Sequence, residues 1–191
     1  MPELPEVETV RLALSKIVYN SKIEDVDVLR SDLRWKIKKS LKHDLENDYF
    51  KQPLRRGKYI LIPTIKDNIF LIHLGMSGQI KIRDNFESIF KHDHVRVTIK
   101  SENDKRYFIT YNDPRRFGFI DLFHKKEINE HFLLKKLGVE PFEKNFNVGY
   151  LQSMFDKKIK CIKDTLMDQS VIAGINFTIF RCSIFEFMIN S

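Results

Sequence analysis

The sequence predicts an α+β protein: an N-terminal helix, a two-sheet antiparallel β sandwich, and a shorter helical part behind it. Three observations carry this reading. From Pro5 to about Tyr19, Val7, Val10, Leu14 and Ile17 or Val18 recur at the spacing of one helical face. Between residues 22 and 123 the character changes to short alternating or apolar runs at 23–29, 59–63, 69–74, 94–99, 107–111 and 117–123. Gly, Asn, Asp and charged clusters separate them, the pattern of antiparallel strands joined by turns. Near Lys125 helical patterning returns over 127–137, 145–155 and from about 160 onward. Leu137-Gly138-Val139-Glu140-Pro141 reads as a helix stop, with Pro shortly after Gly. The expected domains are 1–130, the β sandwich, and 131–191, the helical part.

The first residues, Met1-Pro2-Glu3-Leu4-Pro5-Glu6, place proline and acids where a helix begins. They also allow chemistry. Small residues in second position favour removal of Met1, which would leave Pro2 as a secondary amine beside the Glu3 carboxylate. An α-amino group titrates near ~8 against ~10.4 for lysine, so it is a nucleophile at neutral pH. Such an amine attacks an aldehyde-like carbon and forms a Schiff base.

Composition narrows the partners. The chain has 191 residues, 42% hydrophobic, with 16 Phe for an aromatic core. A formal net charge of +7 and a pI near 9.3 favour a polyanionic partner. No run of ~18 apolar residues is present to span a membrane, and no secretory signal pattern opens the chain. Cys161 and Cys182 lie far apart, which indicates neither a disulfide framework nor a zinc site. The expectation is a reduced, cytoplasmic, monomeric protein without a cofactor. His92 and His94 flank Asp93, but without further ligands at suitable spacing they are not read as a metal site.

Three further segments invite a chemical reading. Lys58 follows Gly57 and opens an apolar strand. Gly75 and Gly78 bracket Met76, placing an unbranched apolar side chain at a turn. Arg115 and Phe117, two apart on a segment read as extended, would share one side. A plain hairpin methionine and a plain basic turn are the alternatives.

MPELPEVETVR, Arg55-Arg56-Gly57-Lys58-Tyr59, residues 72–78 (IHLGMSG), 91–95 (KHDHV), 112–118 (NDPRRFG), Leu137–Pro141 and residues 166–170 (LMDQS) occur in the order found in formamidopyrimidine-DNA glycosylases. The resemblance runs from residue 1 to about 175. Leu4, where the endonuclease VIII branch usually has Gly, favours the purine-directed branch. The resemblance implies base-excision repair of damaged double-stranded DNA: removal of oxidised purines such as 8-oxoguanine and formamidopyrimidines, then strand cleavage at the abasic site. By the same resemblance Pro2 is the nucleophile, Glu3 moves protons at the sugar, Glu6 supports that site and Lys58 contacts phosphate and assists elimination. Met76, Arg115 and Phe117 become a trio that fills the gap left by a flipped nucleotide. His73, His92 and Lys158 become DNA contacts.

After residue 175 the pattern departs. Family members continue a helix–two-turn–helix module with Asn and Glu where this chain has Phe177 and Cys182. The four-cysteine zinc ribbon of the family is absent from the sequence. The sequence therefore predicts an incomplete module, loss of part of the DNA clamp and weakened glycosylase activity, with abasic-site lyase chemistry retained. A catalytically dead remnant and a generic nucleic-acid-binding module are the competing readings.

Overall fold

The computed structural model describes residues 2–156 and 161–175. Helix α1 (Leu4–Val18) leads into β1 (Lys22–Val28), the short α2 (Leu41–Leu45), and strands β2 (Leu54–Arg56), β3 (Tyr59–Pro63), β4 (Asn68–His73), β5 (Gln79–Arg83), β6 (Asp93–Lys100), β7 (Arg106–Asn112) and β8 (Phe119–His124). A 3₁₀ turn (Lys125–Glu127), α3 (Val148–Phe155) and α4 (Ile162–Leu166) follow. The strands form two four-stranded antiparallel sheets, ordered β1-β6-β7-β5 and β2-β3-β4-β8. The expected helix and two-sheet fold is what forms.

Alternation decides which faces meet. Ile23 and Val26 from β1, Val95, Val97 and Ile99 from β6, and Ile109 and Tyr111 from β7 point inward. Ile60, Ile62, Phe70, Ile72, Ile120 and Leu122 do so from the second sheet. Helix α1 adds Val7, Leu14 and Val18, all essentially without solvent exposure, to the same core. On the opposite side of α1, Arg11 grips the Glu8 carboxylate at 2.6 Å and the Pro53 carbonyl at 3.1 Å, and Arg55 reaches Glu8 at 3.2 Å.

The chain divides into two compact units, residues 1–55 with 59–128, and residues 56–58 with the described residues from 129 on. Inside the second unit, the buried Glu140 accepts hydrogen bonds from the Gly57 N–H at 2.5 Å and from Arg56 at 3.1 Å. The Arg56 guanidinium also donates to the Gly138 carbonyl at 2.5 Å. Val139 bridges Ile172 in parallel, and the Ala173 N–H donates to the Val139 carbonyl at 2.9 Å.

Three local expectations are corrected. Residues 127–137 do not form a helix: after the 3₁₀ turn they make successive turns, with Leu134 N–H and Leu137 N–H bonded to the carbonyls three residues back. His131 and Leu134 are buried three residues apart, the period of 3₁₀ geometry rather than of an α-helix. Gly138 does not cap a helix either. Its φ is not positive, and a Cβ there would strike the Val171 carbonyl, so glycine serves close packing. Third, residues 114–118 form a turn with Arg116 at φ +61°, not an extended segment. A buried aspartate gathers the backbone N–H groups of that stretch, as the next subsection describes. Lys158, Phe177 and Cys182 lie outside the described residues.

The Arg11 guanidinium beside Glu8, with Arg55 behind it, holds the Glu8 carboxyl below the usual carboxylate range. A depressed folded-state value contributes stability that is present above the unfolded value, near pH ~4, and lost as pH falls through the folded one. Glu8→Gln is therefore expected to narrow the drop in melting temperature between neutral and acid pH, as read from melting curves of both proteins. In the second unit, Glu140→Ala leaves the Gly57 N–H without its acceptor and should cost about 2 kcal/mol. Chemical denaturation monitored at that unit measures the loss.

Candidate active site and nucleic-acid interface

The sandwich positions its candidate site through turns at the ends of β4, β5, β7 and β8. Residues 74–78 close a tight turn in which the Gly78 N–H donates to the Leu74 carbonyl at 2.8 Å. Gly75, at φ +64°, lies against the backbone of Phe117 and Gly118 so closely that a Cβ would collide with both. The two glycines put Met76 at the tip, 43% exposed.

Asp113, with no solvent exposure, organises this corner. Its carboxylate accepts from the Ser77 hydroxyl at 2.5 Å, the Gly118 N–H at 2.8 Å and the Arg115 N–H at 3.3 Å. The Tyr111 hydroxyl faces Asp113 Oδ2 at 3.4 Å and the His73 carbonyl at 3.2 Å. Burial, and then the neighbouring Asp113 charge, push the Tyr111 phenol well above its ordinary value, so it remains a donor. Buried His94 places its ring nitrogens 3.0 Å from the Asp113 carbonyl and 3.3 Å from the Arg30 carbonyl.

Two cavities open here, both within the first unit. One, of about 680 Å³, is lined by His73, Met76, Arg115 and Phe117 together with Asp32 and Arg34. The Arg115 guanidinium lies 5.0 Å from the centre of the Phe117 ring, so these residues meet although the segment is a turn. The other, of about 390 Å³, is lined by Pro2, Glu6, Met76, Ser77 and Gln79, with Val10, Leu74 and Ile80 as apolar walls. Met76 borders both.

At the mouth of α1, Glu6 accepts the Glu3 backbone N–H at 2.7 Å, and the Val7 N–H donates to the Glu3 carbonyl at 3.0 Å. These two bonds define the helix start and fix the exit of Pro2. Glu3 itself is half-buried. His92 is half-buried too, and its carbonyl accepts the Asp113 N–H at 3.0 Å, setting it beside the 113–117 turn. Lys58 belongs to the second unit and is buried, uncommon for an ammonium group.

Sequence reasoning passed over Asp113, though its signal was present: Asp two residues before Arg115, ahead of Pro114, is a side-chain-to-backbone turn position. It also passed over Asp32, which binds Arg30 at 2.9 Å and Arg116 at 2.8 Å. Those contacts, Arg30 first, hold the Asp32 carboxyl well below the usual carboxylate range. No local signal links Asp32 to Arg116. No cluster of three metal-ligating side chains occurs among the described residues.

A two-sheet sandwich behind an N-terminal helix, with the helix start opening onto a cavity beside a glycine-bounded turn, is the arrangement to set beside known families. Residues 1–120 match the formamidopyrimidine-DNA glycosylase N-terminal domain. Formamidopyrimidine-DNA glycosylase of Bartonella henselae is 41% identical over 190 residues, covering 95% of this chain and 65% of that protein. The enzyme of the same name from Ruthia magnifica subsp. Calyptogena magnifica is 41% identical, over 100% of this chain and 68% of the relative. Among solved structures, the Lactococcus lactis enzyme bound non-covalently to DNA containing an AP site superposes with a TM-score of 0.81 at 30% identity, covering 92% of this chain and 65% of that one. The chain belongs to the formamidopyrimidine-DNA glycosylase family. It spans roughly two thirds of the length of these relatives, 65% for the first.

Asp113→Asn would turn one acceptor oxygen into a donor facing donors. The expected result is faster amide hydrogen exchange at Arg115 and Gly118, by about 30-fold for ~2 kcal/mol of lost protection. The amides of β4 should be little changed.

Proposed function

We propose that this protein excises oxidised purines from double-stranded DNA and then cleaves the strand, with the Pro2 amine as nucleophile. The observation that carries the reading is the cavity at the start of α1, lined by Pro2 and Glu6 and walled by Met76. Family membership and the DNA-bound relative support the same substrate class. The place of action that goes with it is the cytoplasm, on chromosomal DNA. No described helix is long and apolar enough to cross a membrane.

In this mechanism, Met1 removal exposes the Pro2 nitrogen next to the partial positive charge of the helix N-terminus, which favours the neutral amine. Its lone pair attacks C1′, and the N-glycosidic electron pair leaves with the base, which takes up a proton. Glu3 delivers a proton to O4′ as the sugar ring opens, giving an iminium ion on the Pro2 nitrogen. Loss of a C2′ proton then expels the 3′ phosphate, and Lys58 acts at that phosphate. Glu6 holds the Glu3 backbone and keeps the nucleophile in register. Met76, Arg115 and Phe117 occupy the gap in the duplex. His73, His92 and Lys158 are proposed as DNA contacts.

Borohydride reduces an iminium to a stable amine and tests this directly. With a duplex carrying one abasic site, the expected product is a covalent complex whose cross-link maps to the Pro2 nitrogen by mass spectrometry. A form that retains Met1, in which that nitrogen is an amide, should lose this adduct. A folded, Met1-free protein that gives no adduct, or one mapped to a lysine, overturns the reading. Glu3→Gln should slow base excision at least tenfold, consistent with the usual 10²–10⁴-fold contribution of general acid–base catalysis, as measured by single-turnover assays.

A further inference from the structure

His94, on β6, has no solvent exposure, and both of its ring nitrogens face carbonyl oxygens. Nε2 lies 3.0 Å from the Asp113 carbonyl and Nδ1 lies 3.3 Å from the Arg30 carbonyl. A carbonyl oxygen only accepts. A neutral imidazole carries one N–H and one bare lone pair, so either tautomer satisfies one carbonyl and sets lone pair against lone pair at the other. Only the imidazolium donates to both.

Both acceptors are held in place by bonds of their own. The Leu29 and Arg30 N–H groups donate to the His94 carbonyl at 2.8 and 3.1 Å, which fixes the stretch after β1 against β6. The Asp113 N–H donates to the His92 carbonyl at 3.0 Å, and the Asp113 carboxylate takes Ser77 and Gly118. The charged groups around the ring come from three elements. After β1, Asp32 Oδ1 lies 3.9 Å from Nδ1, while Asp32 Oδ2 takes Arg30 and Arg116. On β6, the Asp93 carboxylate is taken by Asn112 and the Phe90 N–H. From β7 and the turn after it come the Tyr111 ring, 6.3 Å away, and Asp113. The Asp113 carboxylate is bonded by hydroxyls and backbone N–H groups, with no side-chain cation on it among the described residues. A positive ring bonded to the carbonyl of the same residue supplies a counter-charge to that buried anion.

Resting on the wedge role proposed above, we infer that His94 is a positioning residue for Arg115 and Phe117 and holds their turn as an imidazolium, with a proton on each ring nitrogen. The ring ties the stretch after β1 to the first residue of that turn. Losing one proton breaks one of the two ties. Histidine is the side chain whose charge ordinarily changes between pH ~5 and ~8. The turn is therefore tight at the acid end of that range and loosens as pH rises.

Two measurements test this, the first without DNA. In protein labelled with ¹⁵N at histidine, both His94 ring nitrogens should be protonated near pH ~6. On titration upward one proton should leave, and the Arg115 and Gly118 amides should then lose exchange protection relative to those of β4. A ring with one bare nitrogen at the acid end overturns the inference, as does a lost proton without loosening of those amides. The second measurement uses His94→Gln, which keeps a donor toward Asp113 and does not titrate. Single-turnover excision of 8-oxoguanine by the wild type is divided by that of the variant at each pH, which cancels the titration of Pro2 and Glu3. The ratio should fall about tenfold across the transition seen in the ring spectrum, the scale of one buried hydrogen bond. A ratio that stays flat overturns the positioning role. Should His94→Gln fail to fold, the wild-type spectrum and amide exchange decide. Wild-type protein that neither excises 8-oxoguanine nor traps abasic DNA overturns the function proposed above and the positioning role with it, whatever the ring spectrum shows.

Discussion

The Asp113 carboxylate is the interaction on which the rest of the site depends. A fully buried carboxylate is costly unless hydrogen bonds satisfy it, and charge-assisted bonds to N–H and O–H groups are the strong ones. Asp113 meets that demand with donors from two separate stretches of chain, Ser77 from the turn after β4 and Arg115 and Gly118 from the turn before β8. Neither turn could hold its shape in isolation. Residues 114–118 need Arg116 in a left-handed conformation, a cost that the shared carboxylate offsets, while residues 74–78 use Gly75 for theirs without strain. The glycine at 118 follows from the same crowding, because the Tyr111 hydroxyl and the His73 carbonyl occupy the space a Cβ would need.

The start of α1 is held by different physics. Pro5 and Glu6 belong in a first turn on propensity and dipole grounds alone. The Glu6 carboxylate goes further by accepting the Glu3 N–H, so the two residues ahead of the helix have a set direction. The core then fixes the helix as a whole through Val7, Leu14 and Val18. Cap and core together aim Pro2 at a cavity rather than into solvent.

Much of this fold was legible because period and burial agree. The runs at 59–63, 69–74, 94–99 and 107–111 became β3, β4, β6 and β7 to within a residue or two, since each alternates or is apolar on both faces. Strand β2, three residues with two arginines, carries no such pattern, and β5 reads Gln-Ile-Lys-Ile-Arg, an alternation between cations at a sheet edge. The stretch 127–137 failed for the opposite reason. It is rich in leucine and lysine, good helix formers, but its buried side chains fall three apart. Of the candidate site, His73, Met76, Arg115 and Phe117 were legible and do line one cavity, and Pro2, Glu6 and Met76 another. Asp113 carried a local turn signal in its place before Pro114, whereas the half-exposed Asp32 carried none for Arg116, its partner 84 positions away.

Met76 shows why side-chain shape matters here as much as charge. It borders both cavities, and it is the one residue their linings share. A β-branched residue would be stiff at χ1 and could not adapt to a neighbour on either side. Methionine is unbranched, with three rotatable bonds and a polarizable sulfur, and it can lean toward one cavity while vacating the other. The backbone beneath it cannot move in the same way, because Gly75 and Gly78 are locked against Phe117, Gly118, Leu74 and Tyr111. An unbranched side chain on a close-packed turn is the arrangement that the wedge role proposed above calls for: the backbone withstands the displacement and the side chain adjusts to it.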